Sequence, residues 1–240
     1  MKWIYSVTAI PIALMLVGIM GGCNQSTSKQ DMIAPEERQE DPNTEAGRVV
    51  RFPANRSLGS LHVRDASISW LSLEPWQPMG VAKDYVTVPT GKALLLDMTE
   101  RTDRHDFSPL ASLQPQDLQA LVIQRANVDI RVVSRMNDLR WLLLAGTKVC
   151  DHELSALVTL SKLEKLDLTA TNVTDEGVIH LAKVVTLRDL TLGGDSITDE
   201  SIPYLLKLQR IERLDLRGSG ISEEGAKRLE NGLPNCRIQH

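Results

Sequence analysis

The sequence predicts an α/β solenoid, in which strand–turn–helix units stack along one axis. Three observations predict it. Apolar residues recur every 24 residues, each period contains a short alternating stretch, and that stretch is followed by a small residue and a helix-start pattern. A single unit buries too few aliphatic side chains to offset the backbone entropy lost on ordering it. The units are therefore expected to be stable only when stacked.

Four apolar columns carry the period without slippage over three intervals. They consist of Leu139, Leu163, Leu187 and Ile211; of Leu142, Leu166, Leu190 and Leu214; of Leu144, Leu168, Leu192 and Leu216; and of Val149, Val173, Ile197 and Ile221. An earlier copy lies 21 residues upstream, at Leu118, Leu121, Ile123 and Val128. A degenerate copy is predicted to begin at Leu94 and Leu96.

Each part of the unit has its own local signal. Leu166-Asp167-Leu168 alternates, which turns both leucines to the same side of a strand. Small residues stand where the chain must then turn tightly, at Gly146, Ala170, Gly194 and Gly218. Helix N-caps followed by acidic residues come next, at Thr174, Thr198 and Ser222. Each unit is thus predicted to run strand, turn, helix.

The spacing Leu-x-x-Leu-x-Leu, followed after two residues by a small polar residue and then by Val or Ile, resembles that of leucine-rich repeats. The resemblance covers about Leu118 to the C-terminus. It implies a parallel sheet on the concave side and helices on the convex side. The sequence departs from the family at the column where asparagine is common, which holds Thr147, Thr171, Asp195 and Ser219. These side chains are expected to bond to the turn backbone more weakly than an amide does.

The N-terminus has the pattern of a secretory leader. Met1 and Lys2 form a short positive region, and Trp3 to Met20 carries no charge. Met20-Gly21-Gly22-Cys23 resembles the lipobox of bacterial lipoproteins, which implies cleavage before Cys23 and acylation of its thiol. Asn24 is not the aspartate associated with inner-membrane retention, so the resemblance implies the outer membrane where the host has one. An uncleaved membrane anchor is the alternative.

Composition divides the chain into four segments. Residues 1–22 are predicted to be the signal peptide, and 23–47 the acylated cysteine with an acidic, disordered tether. Residues 48–112 read as a small β-rich cap, with Trp70 and Trp76 in its core, and 113–240 as the leucine-rich-repeat domain. The cap is expected to shield the apolar edge of the first repeat.

Several kinds of chemistry are disfavoured by the sequence. A net charge of -4 gives no general attraction to nucleic acid. The three cysteines and five histidines show no metal-ligand spacing, so no metal, cofactor or small-molecule substrate is predicted, and the protein is not expected to be an enzyme. The acidic stack of Asp151, Asp175, Asp199 and Glu223 is interpreted as helix N-terminal acids rather than as a calcium site. A hydrolase that uses Asp103, His105 and Asp106 would need their loop to form a pocket.

The outward strand positions are the candidate surface for a partner, because the resemblance places them on the concave face. They are Ala120, Val122, Trp141, Leu143, Lys165, Asp167, Asp189, Thr191, Arg213 and Asp215. Val122, Trp141 and Leu143, together with Ala120 and Ala145, form an apolar patch that either the cap or a partner should cover. Lys165, Asp189 and Arg213 are expected to be lateral neighbours of alternating sign, which serve either recognition or sheet stability.

The function predicted from these features is that of a membrane-anchored, non-catalytic module. It would bind an envelope or extracellular protein, whose identity the sequence does not give, through the concave face of the repeats. The alternative is carbohydrate or cell-wall binding by the β-rich cap, with the repeats as a spacer. Exposed indole rings at Trp70 or Trp76 would favour that alternative.

Overall fold

The computed structural model describes residues 47–99, 106–194 and 196–240. The strands of this part of the chain are β1 (Arg48–Arg51), β2 (Ser60–Asp65), β3 (Gln77–Val81), β4 (Tyr85–Val88), β5 (Lys92–Asp97), β6 (Ala120–Val122), β7 (Trp141–Leu143), β8 (Lys165–Asp167), β9 (Asp189–Thr191), β10 (Arg213–Asp215) and β11 (Arg237–Gln239). The predicted leader, Cys23 and most of the tether lie in residues 1–46, outside the described residues.

Short helical segments alternate with the strands from β5 onward. The α-helices are α1 (Asp175–Leu181), α2 (Ile202–Leu205) and α3 (Glu223–Gly232). Segments of 3₁₀-helix occupy Ser108–Ser112, Ile130–Val133, Asp151–Thr159 and Asp199–Ser201. The units that precede α1 therefore have 3₁₀-helix at the position where the sequence predicts a helix. None of the helices found in the described ranges combines the length and the hydropathy that crossing a membrane requires.

One sheet of nine strands carries the repeats, in the order β11-β10-β9-β8-β7-β6-β5-β2-β3. All neighbours from β5 to β11 are parallel, and the 24-residue period is their register: Leu142 pairs with Leu166, Leu166 with Leu190, and Leu190 with Leu214. Leu96 pairs with Leu121 in the same way, so the degenerate copy supplies the first parallel strand. The fold is thus the α/β leucine-rich-repeat solenoid that the sequence predicts.

The β-rich N-terminal part continues the same sheet. β2 pairs antiparallel with both β5 and β3, while β1 and β4 form a separate two-stranded antiparallel sheet. The turn predicted between β4 and β5 is present, with Gly91 at φ +75°. However, β4 pairs with β1 and β5 with β2 and β6, so the two consecutive strands enter different sheets.

The turn after each strand uses the predicted small residues. Gly146, Ala170 and Gly218 have φ values of +70°, +53° and +77°, a left-handed conformation that disfavours larger side chains. The next column bonds to the turn as expected. Thr147 Oγ1 donates to the Leu144 carbonyl at 2.7 Å, and Thr171 Oγ1 to that of Leu168 at 2.8 Å. Asp195 of this column lies outside the described residues.

The acidic residues at the helix starts also join one repeat to the next. Asp175 Oδ1 accepts from the backbone N–H of Thr198 at 2.8 Å, and Asp175 Oδ2 accepts from Thr198 Oγ1 at 2.6 Å. Asp151 accepts from Thr174, and Asp199 from Ser222, in the same pattern. The interpretation as helix N-terminal acids was therefore incomplete, because these carboxylates form an inter-repeat clamp. The hydrogen bonds from Ser222 also lower the pKa of Asp199.

A column of small residues makes room for this clamp. Gly177, Ser201 and Gly225 stand 24 residues apart, and a Cβ atom added at Gly225 would collide with Asp199 Oδ1. Ser201 is fully buried, and its hydroxyl donates to Asp175 Oδ1. The small side chain at this position is therefore required by the carboxylate of the preceding repeat.

Candidate partner-binding face

The ten outward positions predicted from the sequence lie side by side on β6 to β10. The pairs Ala120–Trp141, Trp141–Lys165, Lys165–Asp189 and Asp189–Arg213 are direct lateral neighbours. The second outward residue of each strand pairs in the same register, from Val122 on β6 to Asp215 on β10. We call this set the concave face. It divides into an apolar part on β6 and β7 and a charged part on β8 to β10.

The cap covers the apolar part of the concave face. Ala120 and Val122 are buried in a cluster with Leu95, against which Trp76, Trp141 and Leu143 pack. Trp76 belongs to the connection between β2 and β3, residues 66–76, which we call the β2–β3 connection. Val122, Trp141 and Leu143 are therefore not a free apolar patch, and of the two coverings that the sequence left open, the cap is the one present.

Two hydrogen bonds hold the β2–β3 connection to the repeats. Trp141 Nε1 donates to the Trp70 carbonyl at 2.9 Å. Farther along the sheet, the Arg213 guanidinium on β10 donates to the Leu71 carbonyl. The connection thus begins at β2 and reaches side chains on both β7 and β10. Its exposed residues are Ala66, Ser67, Ser69 and Leu73 to Pro75, and Leu73 is 87% exposed.

Three indole rings surround one arginine under this connection. The ring centroids of Trp70 and Trp76 are 6.0 Å apart, and those of Trp76 and Trp141 are 5.8 Å apart. Arg64 Cζ lies 4.5 Å, 4.7 Å and 5.1 Å from the centroids of Trp70, Trp76 and Trp141. We call these four residues the tryptophan–arginine cluster. Neither ring belongs to the main apolar core: Trp70 is buried against Arg64 and Trp76, and Trp76 packs with the separate cluster of Leu95, Ala120 and Val122.

Four side-chain nitrogen atoms of this cluster are buried without a hydrogen-bond acceptor among the described residues. Arg64 is 3% exposed, and its Nε, Nη1 and Nη2 atoms have no acceptor among the described residues. Trp76 Nε1 is likewise buried and unpaired within those residues. Burial lowers the pKa of Arg64, whereas the negative charge of Glu74 opposes that shift. The cluster is therefore rich in donors and lacks an oxygen to receive them.

The indole rings do not provide an exposed platform for a sugar. Trp70 is 7% exposed, and Trp76 is half-buried between the two other rings. Carbohydrate binding by the cap would be favoured by an exposed Trp70 or Trp76, and neither side chain is exposed.

The charged part of the concave face is partly accessible to solvent. Lys165 Nζ lies 3.0 Å from Asp189 Oδ2, and Arg213 Nε lies 3.8 Å from the same oxygen, so the predicted ladder of alternating charges is present. These three residues line a shallow cavity of about 250 Å³ together with Thr191, Asp215 and residues of β11. The side chains of Lys165, Thr191, Arg213 and Asp215 are half-buried, and Asp189 is buried.

Two carboxylates of this part are held by nearby side chains. Asp167 Oδ1 accepts from the backbone and the hydroxyl of Thr169, at 2.8 Å and 2.6 Å. Asp215 pairs with Arg217 at 2.5 Å, and this hydrogen bonding lowers the pKa of Asp215. Their positions are thereby fixed before any partner binds, which reduces the entropy lost on binding.

A second charged column, which the sequence reasoning missed, borders the face. Arg140, Glu164, Arg188 and Glu212 stand 24 residues apart, immediately before β7 to β10. Arg140 pairs with Glu164, and Arg188 pairs with Glu212 and, at 3.8 Å, with Glu164. These four residues recur with the same 24-residue period as the leucine columns. Their alternating charges could therefore have been found from the sequence.

The remaining titratable candidates are not among the ten residues of this face. Cys150 Sγ donates to Glu153 Oε2 at 3.3 Å, and burial together with Glu153 raises the pKa of the thiol, contrary to what a nucleophile needs. Burial also raises the pKa of Cys236 to about 11. No group of three or more potential metal ligands occurs within the described ranges. Asp103 and His105 are outside those ranges, and Asp106 is held by Arg56 at 2.6 Å and by Ser108.

Comparisons with known proteins agree with this architecture at the level of the repeat. Residues 159–182, which include β8 and α1, match the family model described as Leucine Rich repeat. No curated protein matches the sequence.

Among solved structures, similar chains include two internalins from Listeria monocytogenes. The first has 17% identity and a TM-score of 0.44, and the match covers 60% of this chain and 46% of the internalin. The second has 20% identity and a TM-score of 0.44, with 60% and 69% coverage. A leucine-rich-repeat protein from Leptospira interrogans has 18% identity and a TM-score of 0.38, with 52% and 37% coverage.

This chain thus spans less than half of the first internalin. At these identities and TM-scores, the solved structures add no argument about function. The repeat match and the stacked parallel strands identify the described part of this chain as a leucine-rich-repeat solenoid of the α/β class.

Proposed function

We propose that this protein is a non-catalytic interaction module, anchored to a bacterial membrane, that binds an envelope or extracellular protein through its concave face. The open, charged part of that face is the observation that carries the proposal. It offers side chains of both signs on adjacent strands spaced about 4.8 Å apart. A broad, shallow surface of this kind suits a protein partner better than a small molecule, which usually occupies a deep, mostly apolar pocket.

Thr191 offers a direct test of this surface. It lies on β9, the middle strand of this part, and its side chain has no hydrogen bond or ion pair to another described residue. Thr191→Arg should therefore block the shallow cavity without unfolding the protein. We expect it to reduce capture of a cross-linked envelope partner by at least about tenfold, the effect of losing roughly 1.4 kcal/mol of binding free energy. Capture is measured by quantitative mass spectrometry of cross-linked envelope extracts.

Asn231→Arg is the matched control, because Asn231 is an exposed residue of α3. It introduces the same side chain away from the concave face, so capture should be unchanged. Loss of capture with Asn231→Arg and retention with Thr191→Arg would place the binding surface on the helical side and contradict the proposal.

The membrane anchor has a separate test. The support for it is the uncharged stretch after Lys2 and the lipobox-like Met20-Gly21-Gly22-Cys23. Cells that express the chain and are fed an alkyne fatty acid should label the protein, and Cys23→Ser should abolish the label. Cell fractionation should place the labelled protein in the envelope, in the outer membrane where there is one. A Cys23→Ser protein that is labelled as strongly as the unchanged chain would refute lipid attachment at this cysteine.

A further inference from the structure

The tryptophan–arginine cluster contains four buried nitrogen atoms that donate to no acceptor in the described part of the chain. Three belong to the Arg64 guanidinium and the fourth is Trp76 Nε1. Contacts between the guanidinium and the three rings stabilise its charge but offer no oxygen to its N–H groups. Buried donors normally have a partner, because an unmet donor costs free energy. The cluster therefore lacks a component that accepts hydrogen bonds.

The surroundings of the cluster favour an anionic component. Lys165 Nζ lies 4.8 Å from the ring centroid of Trp141, and Arg140 Cζ lies 5.4 Å from that of Trp70. The carboxylates nearest to these two cations are engaged by them: Asp189 pairs with Lys165, and Glu164 with Arg140. Neither accepts from Arg64 or Trp76. Glu74, whose charge acts on Arg64, does not accept from it either. The unpaired N–H donors of the Arg64 cation and of Trp76 thus match a carboxylate, which only accepts when ionised and carries the opposite charge.

The β2–β3 connection provides two of the rings that enclose Arg64. It carries Trp70 and Trp76 and is held to the repeats through the carbonyls of Trp70 and Leu71. Leu73, Glu74 and Pro75, which lie between the two tryptophans, are exposed to solvent. A small outward movement of this connection would expose the unpaired donors without disturbing any strand pairing, since no residue between Ala66 and Trp76 belongs to a strand.

We infer that the tryptophan–arginine cluster is a carboxylate-binding subsite of the concave face, and that it receives an aspartate or glutamate side chain of the protein partner. Arg64 and Trp76 Nε1 supply the hydrogen bonds, and the indole rings exclude water around them. This inference rests on the proposed function, because it names the chemistry of the segment that the concave face binds.

The probe is a hexaglutamate peptide, with hexaglutamine and inorganic phosphate as comparison ligands. The full chain is observed by NMR through its indole N–H signals, of which that of Trp76 reports directly on the unpaired donor. Hexaglutamate should move the Trp76 signal in a saturable manner. Hexaglutamine should leave it in place, and phosphate should bind at least tenfold more weakly. A response to phosphate as strong as that to hexaglutamate would overturn the assignment to a peptide carboxylate.

Variants separate a binding role from a structural one. Trp76→Phe keeps an aromatic ring and removes the donor, so hexaglutamate should bind several-fold more weakly while the other indole signals remain dispersed. Arg64→Lys should weaken binding less than Arg64→Leu, because lysine retains the charge but not the guanidinium donors. Lys227→Leu removes an exposed cation of α3 and should have no effect.

Two results would overturn the inference. One is equal hexaglutamate affinity in the unchanged chain, Trp76→Phe and Arg64→Leu, and the other is no response of the unchanged chain. Either result can be told apart from failure of the proposed function, because partner capture that remains sensitive to Thr191→Arg would leave the interaction surface in place without this subsite.

Discussion

Leu166→Ala is expected to lower the free energy of unfolding by about 2–5 kcal/mol, the range for removing a fully buried leucine side chain. Leu166 lies on β8 in the interior of the sheet, is 0% exposed, and pairs laterally with Leu142 and Leu190. Its loss leaves a cavity between repeats that depend on each other for burial. Urea unfolding followed by far-UV circular dichroism measures the change.

Leu73→Ala makes the same chemical change at an exposed site and serves as the control. Leu73 is 87% exposed in the β2–β3 connection, so its replacement should change stability by no more than about 0.5 kcal/mol. If both variants lost stability equally, the stacked core described above could not be the source of the stability.

Asp175→Ala should lower the free energy of unfolding by about 2–4 kcal/mol, because it leaves donors of the next repeat without an acceptor. The groups affected are the backbone N–H and hydroxyl of Thr198 and the hydroxyl of fully buried Ser201. Chemical denaturation gives the size of the loss. Hydrogen exchange should also show reduced protection around Thr198, which separates loss of the clamp from a general loosening.

Glu176→Ala is the matched control for the clamp, because Glu176 is the next acidic residue in the same first helical turn and is exposed. Both substitutions remove one negative charge from the N-terminus of α1, which is worth about 0.3–1 kcal/mol. A difference of more than about 1 kcal/mol between the two variants therefore measures the inter-repeat hydrogen bonds. Equal losses would mean that the carboxylates act only as helix N-terminal acids.

Much of the repeat architecture could be predicted because its determinants are local and recur. The alternation around Leu166 predicted β8, and Thr174 predicted the N-cap of α1, where its side chain accepts from the N–H of Glu176. The left-handed turn at Ala170 followed from a column otherwise occupied by glycine. Residues 24 apart become lateral neighbours once the units stack in parallel. The ion pair of Lys165 with Asp189 could therefore also be predicted from the sequence.

The inter-repeat clamp is a second role of the acidic residues at the helix starts, which the sequence pattern does not show. The sequence contains Asp175 at a helix start and Thr198 in the next unit, but the helix start alone accounts for an acid. Only the packing of α1 against the next repeat shows that the carboxylate also accepts from Thr198 and Ser201. The small-residue column that includes Gly177 follows from the same contact.

By itself the sequence determined the period, the strand register, the turns and the outward columns, since each depends on residues within one unit or one period away. Tertiary structure alone decided which part of the concave face is open. The contact of Trp141 with Trp70 joins residues 71 positions apart, and that of Arg213 with Leu71 joins residues 142 apart. Such contacts follow no repeat, because the path of the β2–β3 connection depends on how β2 adds to the edge of β5.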